Sequence, residues 1–266
     1  MASEEEVYGM ESDPIDSIRQ VIRNDYEGHT ILKELIQNAR DAKATNFIFK
    51  TTIGNKEADH PMLKVPAIIV FNDGAFDKEK DEPNIRKIGS SHKLSDKHNV
   101  GKYGLGMKSI FHYSDMFFYA TSEKSAVVNP WKRYNAKTHQ EWNSKTEKDN
   151  SIIHSYLLDC LKDCNCSDGF MILIPLRNGS YDYTITPTQV KIESFFERFN
   201  LQQFNKNLVD MLGVLCSCIE TSLSRIIIKT PQVETDLRLV NCDNTKKIEI
   251  VENNKSIDEY YIISKK

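Results

Sequence analysis

Residues 31–42, ILKELIQNARDA, constrain this chain more than any other stretch. At about 100° per residue, Ile31, Leu32, Leu35, Ile36, Ala39 and Ala42 cover one broad side of a helix. Glu34, Asn38 and Asp41 fall at i, i+4 and i+7 and form a narrow polar stripe beside it. A carboxylate one turn from a carboxamide can hold a water and a metal ion together. Taken alone, the stripe reads more simply as the solvated side of an amphipathic helix. Its meaning depends on what the rest of the chain brings to it.

The totals narrow the choices. The chain has 266 residues, enough for one large domain or two small ones. A formal charge of −3 gives no general electrostatic drive toward nucleic acid or anionic membranes. No apolar run approaches the roughly 20 residues that span a bilayer. Residues 1–13 read as a loose acidic tail without the basic and apolar regions of a signal peptide. A cytoplasmic chain is therefore expected, with its six cysteines reduced and unpaired. Cys160, Cys164 and Cys166 lie close together but lack C-x-x-C spacing and a matching histidine, which argues against zinc.

Hydrophobic patterning predicts helices over 14–24, 31–42, 151–163, 190–199 and 204–220. Strands are expected at 46–53, 67–71, 116–121, 125–128, 170–176 and 225–229. A hairpin at 246–264 turns at Asn253-Asn254. Residues 54–66 read as a polar loop, and Trp131 and Trp142 as anchors in the polar stretch 129–150. From 77 to 99 the chain is charged and lacks apolar period, which predicts a long binding loop. The element order implies an α/β (α+β) two-layer sandwich, with a mixed, largely antiparallel sheet and helices on one face.

Three motifs carry chemistry. Gly101, Gly104 and Gly106 remove side chains where backbone must approach a ligand. The helix expected after them, over 107–115, would aim free N–H groups at phosphates, with Lys102 and Lys108 adding charge. The spacing is neither a Walker motif nor a dinucleotide fingerprint. Asp73 ends a buried strand just before Gly74. There it serves either as a turn aspartate or as an acceptor for an exocyclic amine. Glu34 could polarise a water while Asn38 offers an oxygen to Mg²⁺.

The ordered set E-x-x-x-N-x-x-D-A, N-D-G and G-x-x-G-x-G resembles the GHKL ATPases, and most closely the sacsin-like and heat-shock-chaperone-like modules among them. The resemblance covers residues 28–125 well and 170–230 more loosely. It implies a Bergerat ATP-binding fold over 14–230, with 231–266 as a C-terminal strand hairpin extension. It implies ATP and Mg²⁺ as cofactors, Glu34 as general base and Asn38 as metal ligand. Asp41 would line the nucleotide, and Asp73 with Gly74 would read adenine. Gly101, Lys102, Tyr103, Gly104, Leu105, Gly106 and Ser109 would wrap the triphosphate, with Ser90, Ser91 and Lys93 in a lid.

Two positions depart from that pattern. The usual D-x-G-x-G reads here Asp73-Gly74-Ala75-Phe76, so the second part of that turn is altered, and Phe170 follows Gly169 where threonine is usual. The function implied is slow, Mg²⁺-dependent ATP hydrolysis, with lid closure switching contacts to a second copy or a partner protein. The departures motivate an alternative, a non-catalytic nucleotide-sensing module. A histidine kinase is disfavoured, because the 28 residues before His29 leave no room for its phosphoacceptor helices. Neither a membrane nor nucleic acid is indicated as a partner.

Overall fold

Two runs of consecutive apolar residues set the architecture. Strand β2 (Ala67–Asn72) is buried at every position, and β5 (Phe170–Pro175) at every position but Phe170. Strands apolar on both sides need cover on both sides. The computed structural model describes residues 13–24, 30–86, 106–133, 140–179, 184–186, 188–191, 222–231, 234–242, 245–252 and 255–262. The other strands are β1 (Asn46–Thr52), β3 (Phe117–Ala120), β4 (Ser125–Val128), β6 (Arg225–Lys229), β7 (Glu234–Cys242), β8 (Thr245–Glu252) and β9 (Lys255–Ile262). Among the described residues they form one nine-stranded sheet in the order β4-β3-β5-β2-β1-β6-β7-β8-β9. The β1–β6 pair is parallel and the other pairs are antiparallel. This is the mixed, largely antiparallel sheet that the element order implies.

Period-2 alternation sorts the side chains onto two faces. Ile48 and Lys50 share one face with Ile227 and Lys229, their register partners on β6. Helix α4 (Glu147–Cys164) covers this face. Its Asp163 accepts from Lys50 Nζ at 2.6 Å and from Lys229 Nζ at 3.0 Å, and its Tyr156 hydroxyl lies 3.4 Å from Thr52 Oγ1. The opposite face carries Phe47, Phe49 and Phe117. There the Phe111 ring packs on Phe117 with centroids 5.9 Å apart. Phe111 belongs to a 3-10 helix, Gly106–His112, against which α1 (Pro14–Asn24) and α2 (Thr30–Asp41) pack.

The expected α+β sandwich on a mixed, largely antiparallel sheet is thus present, and one detail differs: helices lie on both faces rather than one. The helix α4 adds a third layer behind the sheet, and the doubly apolar β2 and β5 are the reason it is needed.

Local differences have local causes. The first part of the charged stretch 77–99 is a helix, α3 (Lys78–Arg86). Asp77 caps it, accepting from Glu79 N at 3.0 Å and Lys80 N at 3.3 Å, so the helix needs little apolar periodicity. Helix α4 begins four residues earlier than its apolar period suggests because Thr146 and Asp149 form a capping box. The run after Gly106 is a 3-10 helix of seven residues, so no α-helical macrodipole stands behind the glycine motif there. Val190 and Lys191 are not helical, and residues 192–221 lie outside the described residues. Beside the expected hairpin, β7 adds a strand that continues the sheet from β6.

The loop at 54–66 is packed rather than polar, with Ala58, His60, Met62 and Leu63 buried. His60 meets Phe118 edge-on with centroids 4.9 Å apart. Asp149 Oδ1 accepts from Asp59 N at 2.9 Å and His60 N at 3.1 Å, tying this loop to the start of α4. Burial pushes the Asp149 carboxyl up, but N–H donors from Thr146, His60 and Asp59 outweigh it and hold the group below the usual range.

A depressed carboxylate contributes stability above its unfolded value and loses it as pH falls through the folded one. Asp149→Asn should therefore lower unfolding free energy by about 2 kcal/mol at neutral pH. The gap to wild type should shrink below about pH 4. Urea unfolding of both proteins across that range measures it, and a gap that widens toward acid would contradict the assignment.

Candidate functional site

Helix α2 is enclosed around most of its circumference. Its apolar residues are buried, and so are Gln37 and Arg40, while Lys33 is exposed. Glu34, Asn38 and Asp41 are half-buried. The polar stripe is thus not the solvent side of the helix. Arg40, which the sequence reading does not single out, donates from Nη2 to Asp41 Oδ1 at 3.0 Å, so Asp41 has a cationic partner on its own helix.

The C-terminal end of α2 meets the end of β2. A Cβ on Gly74 would lie 2.7 Å from Ala42 Cβ and 2.8 Å from the Ala42 carbonyl oxygen, so close packing against α2 demands glycine here. From Ala42, Asn38 lies about 6 Å and Glu34 about 12 Å back along the helix axis. The strand end, the carboxamide and the carboxylate therefore follow one another in a line. Both side chains offer hard oxygen atoms, the donor chemistry that suits Mg²⁺ shared with phosphate oxygens.

Asp73 takes the turn role that is one of its two expected readings. Its Oδ1 accepts from Thr45 N at 2.7 Å and Asn46 N at 2.8 Å. Its Oδ2 accepts from Asn46 Nδ2 at 2.6 Å and from the Thr45 hydroxyl. Partial burial pushes its carboxyl up, but the Thr45 and Asn46 donors prevail and hold it below the ordinary value. Asn46 shares the sheet face of Lys50, and the Cys164 and Cys166 thiols of the α4 side lie within electrostatic reach of Asp73. Asp73 thus leans to the α4 side of the strand end. It serves the turn that joins α2 to β1, where Lys43 takes a left-handed φ of 58°. The nearby thiols are free; burial pushes Cys160 up to about 12 and raises Cys164.

Asn72, one residue earlier, faces the α2 side. Its register partner on β5 is Phe170. The two departures from the family pattern meet here: Phe76 and Phe170 stack with centroids 4.7 Å apart and 6° between planes. Tyr119 packs obliquely on both, at 5.9 and 5.8 Å.

Of the phosphate-loop residues, Gly106 opens the 3-10 helix and Ser109 is buried within it. Ser90, Ser91, Lys93, Gly101, Lys102, Tyr103, Gly104 and Leu105 lie outside the described residues. Lys108 is not a phosphate ligand in this arrangement. It is buried, and its Nζ donates to the Ile85 carbonyl at 2.9 Å, joining the last turn of α3 to the 3-10 helix.

The far end of the 3-10 helix is held by Arg177, 1% exposed. Its Nη2 donates to the carbonyls of Phe111 at 2.7 Å and Ser114 at 3.0 Å, and its Nη1 to His112 at 3.1 Å. Its Nε pairs with Asp115 Oδ1 at 3.0 Å. The sequence signal for this residue is an arginine directly after a doubly buried strand, in Pro175-Leu176-Arg177.

Burial brings the Lys108 ammonium down to about 8. Because this lies below the unfolded value near 10.4, the unfolded chain binds the extra proton between about pH 8 and 10, and stability rises there. Wild type should therefore gain unfolding free energy relative to Lys108→Met between about pH 7 and about pH 10. Urea melts at the two pH values measure it; a difference independent of pH would show that the lysine titrates normally.

Known proteins resemble this chain at two levels. A family profile described as the Sacsin domain matches residues 12–231. Sacsin of Homo sapiens is 33% identical over 130 residues, covering 46% of this chain and 3% of that protein. Looser likenesses exist among solved structures. The B-subunit of DNA gyrase from Myxococcus xanthus has a TM-score of 0.39 at 9% identity, covering 84% of this chain and 60% of that one. The ATPase and transducer domains of DNA topoisomerase II from Balamuthia mandrillaris give 0.38 at 14%, covering 93% and 69%. These superpositions are too loose to bear on function.

Proposed function

The chain belongs to the Sacsin domain family, and from that premise we propose that it binds ATP with Mg²⁺ and hydrolyses it slowly, as a conformational switch. The observation that carries this reading is the line along α2. The end of β2 packs on Ala42, and Asn38 and Glu34 follow it, half-buried, at one-turn intervals. That order suits a nucleotide lying along the helix, its base at the strand end and its phosphates toward Glu34.

In this reading Asn38 holds Mg²⁺ through its carboxamide oxygen, and the ion, when bound, neutralises phosphate charge. Glu34 Oε accepts the proton of the attacking water. Catalysis then rests on positioning and charge neutralisation, as in phosphoryl transfer generally. The glycines at 101, 104 and 106 take the triphosphate, and Arg177 and Lys108 keep the segment after them in place. Closure of residues 89–106 on the nucleotide changes contacts with a second copy or a partner protein, in chaperone-like remodelling or in a defence system. The chain spans about 3% of human sacsin's length, so the activity of that whole protein is not carried over. Among the described residues no helix is long and apolar enough to cross a membrane.

A second reading, nucleotide sensing without turnover, is favoured by the Phe76–Phe170 stack, which joins the two places where the sequence departs from the family pattern. One experiment separates the two. Glu34→Ala should keep Mg-ATP affinity within a few-fold by calorimetry, while phosphate release falls by about 100-fold or more. Hydrolysis at the wild-type rate in the variant would remove Glu34 from the role of base. ATP binding without turnover in wild type would establish the sensing module instead.

A further inference from the structure

The 3-10 helix ends in a clasp drawn from distant parts of the chain. Besides the carbonyls of Phe111, His112 and Ser114 that its guanidinium holds, Arg177 donates its backbone N–H to the Tyr113 carbonyl at 2.8 Å. Its own carbonyl accepts from Val190 N at 2.8 Å. Asp115 Oδ1 takes Arg177 Nε at 3.0 Å and the Ile185 N–H at 2.8 Å. Arg19 of α1 in turn donates to the Ile185 and Thr184 carbonyls at 3.2 and 3.3 Å.

One side chain in this clasp fits only without charge. His112, the last residue of the 3-10 helix, is half-buried, with its ring beside that of Tyr113 at 6.4 Å between centroids. Its Nε2 is fully enclosed and has no hydrogen-bond partner among the described residues. A neutral imidazole can keep a bare lone pair there, at the cost of one unmade bond. An imidazolium carries N–H on both nitrogens, so protonation would enclose a charged donor with nothing to accept it. The charge would also stand near Arg177, whose Nη1 lies 3.1 Å from the His112 carbonyl oxygen.

The elements packed around the ring do not offset that charge. Asp115 is committed to Arg177, Asp16 on α1 pairs with Arg19, and Asp41 on α2 pairs with Arg40. Lys108, at the other end of the 3-10 helix, is on the Ile85 carbonyl, and Glu34 lies on α2. Among the described residues Arg177 is the charged group whose field reaches the imidazole. Burial first and Arg177 second hold the ring below its usual value.

We propose that this clasp is released by acid: a proton taken from solvent by His112 expels its ring, frees the end of the 3-10 helix and weakens the hold on the glycine motif, whose Gly106 opens the same helix. The release stands on the clasp alone; its effect on nucleotide rests on the nucleotide-binding reading above. An expelled ring titrates near its ordinary value of about 6.5, while the seated ring resists the proton. Between pH 7.5 and pH 5.5 the open form should therefore gain up to about ten-fold on the closed one.

Amide hydrogen exchange of the full chain, corrected for intrinsic rates and read at the Arg177, Ile185 and Val190 amides, measures that opening. Wild-type protection should fall by about five- to ten-fold from pH 7.5 to pH 5.5. In His112→Phe, a ring of similar shape that takes no proton, it should change by less than about two-fold. His112→Gln, neutral at both pH values, should match the phenylalanine variant and replaces it if that protein fails to fold. Calorimetry with Mg-ATP at the same pH values should show the dissociation constant rising at least about three-fold more in wild type than in the variant. Unchanged wild-type protection, or an equal fall in the variant, overturns the proposal. The expected exchange with an equal loss of ATP affinity in both proteins overturns the link between clasp and site. The expected exchange with no ATP binding at pH 7.5 upholds the clasp and overturns the nucleotide-binding reading.

Discussion

The structure depends on β2 being buried on both of its faces. Each fully buried Ile, Val or Phe side chain is worth roughly 1.5–3 kcal/mol relative to exposure, and β2 and β5 bury several on each side. The cover must therefore be two-sided: α1, α2 and the 3-10 helix on one face, α4 on the other. The same burial pins the register, because a slip of one residue would exchange the two faces. Its consequence at the strand end is chemical. A slip would bring the Asp73 carboxylate beside Phe170 without its four donors, and would turn the Asn72 amide toward Thr45 and Asn46. The division of labour between these neighbours is thus set by the packing of the strand, not by their own propensities.

Buried charge fixes the second element of the site. Arg177 and Asp115 are each 1% exposed, and the arginine also binds three carbonyls at the end of the 3-10 helix. Such a pair contributes little net stability over an apolar substitute, yet leaving either partner alone costs about 3–5 kcal/mol. Its effect is on orientation. The 3-10 helix carrying Ser109 is held at one end by Arg177 and at the other by Lys108 on the Ile85 carbonyl. Both cations are spent on backbone oxygens, where a count of positive charge near a glycine motif would assign them to phosphate.

What the sequence disclosed follows the range of the forces involved. Apolar period is local, so α1, α2 and the strands that bury their sides were legible to within a residue or two. The capping box at Thr146 and Asp149 was also present as a T-x-x-D pattern, and an apolar count alone overlooks it. Helix α3 was hidden because it rests on Asp77 and charged residues, with Ile85 its one buried hydrophobic residue among those described. Of the candidate site, the placement of Glu34 and Asn38 on one helix was readable because helical spacing is local. The orientation of Asp73 was not, because it depends on a strand alternation relative to Thr45 and Asn46, 28 and 27 residues away. The pairing of Arg177 was unreadable for the same reason, its partner Asp115 being 62 residues distant.

The two departures from the family pattern gain their sense from being neighbours. Phe170 alone would put a bulky apolar ring where a threonine is usual. Together, at 4.7 Å and 6°, each supplies the surface against which the other packs. The glycine before Phe170 belongs to the same adjustment: a Cβ on Gly169 would lie 2.4 Å from the Phe71 ring, so this backbone sits directly on β2. Tyr119, packed on both rings, is joined to α3 through Lys124, whose Nζ lies 5.9 Å from the tyrosine centroid and 2.5 Å from Glu82 Oε2. This aromatic cluster at the end of β2 is consequently built into the layer between sheet and helices rather than grafted onto its rim. A change at Phe76 or Phe170 would be transmitted to α3, whose last turn is the one that Lys108 holds.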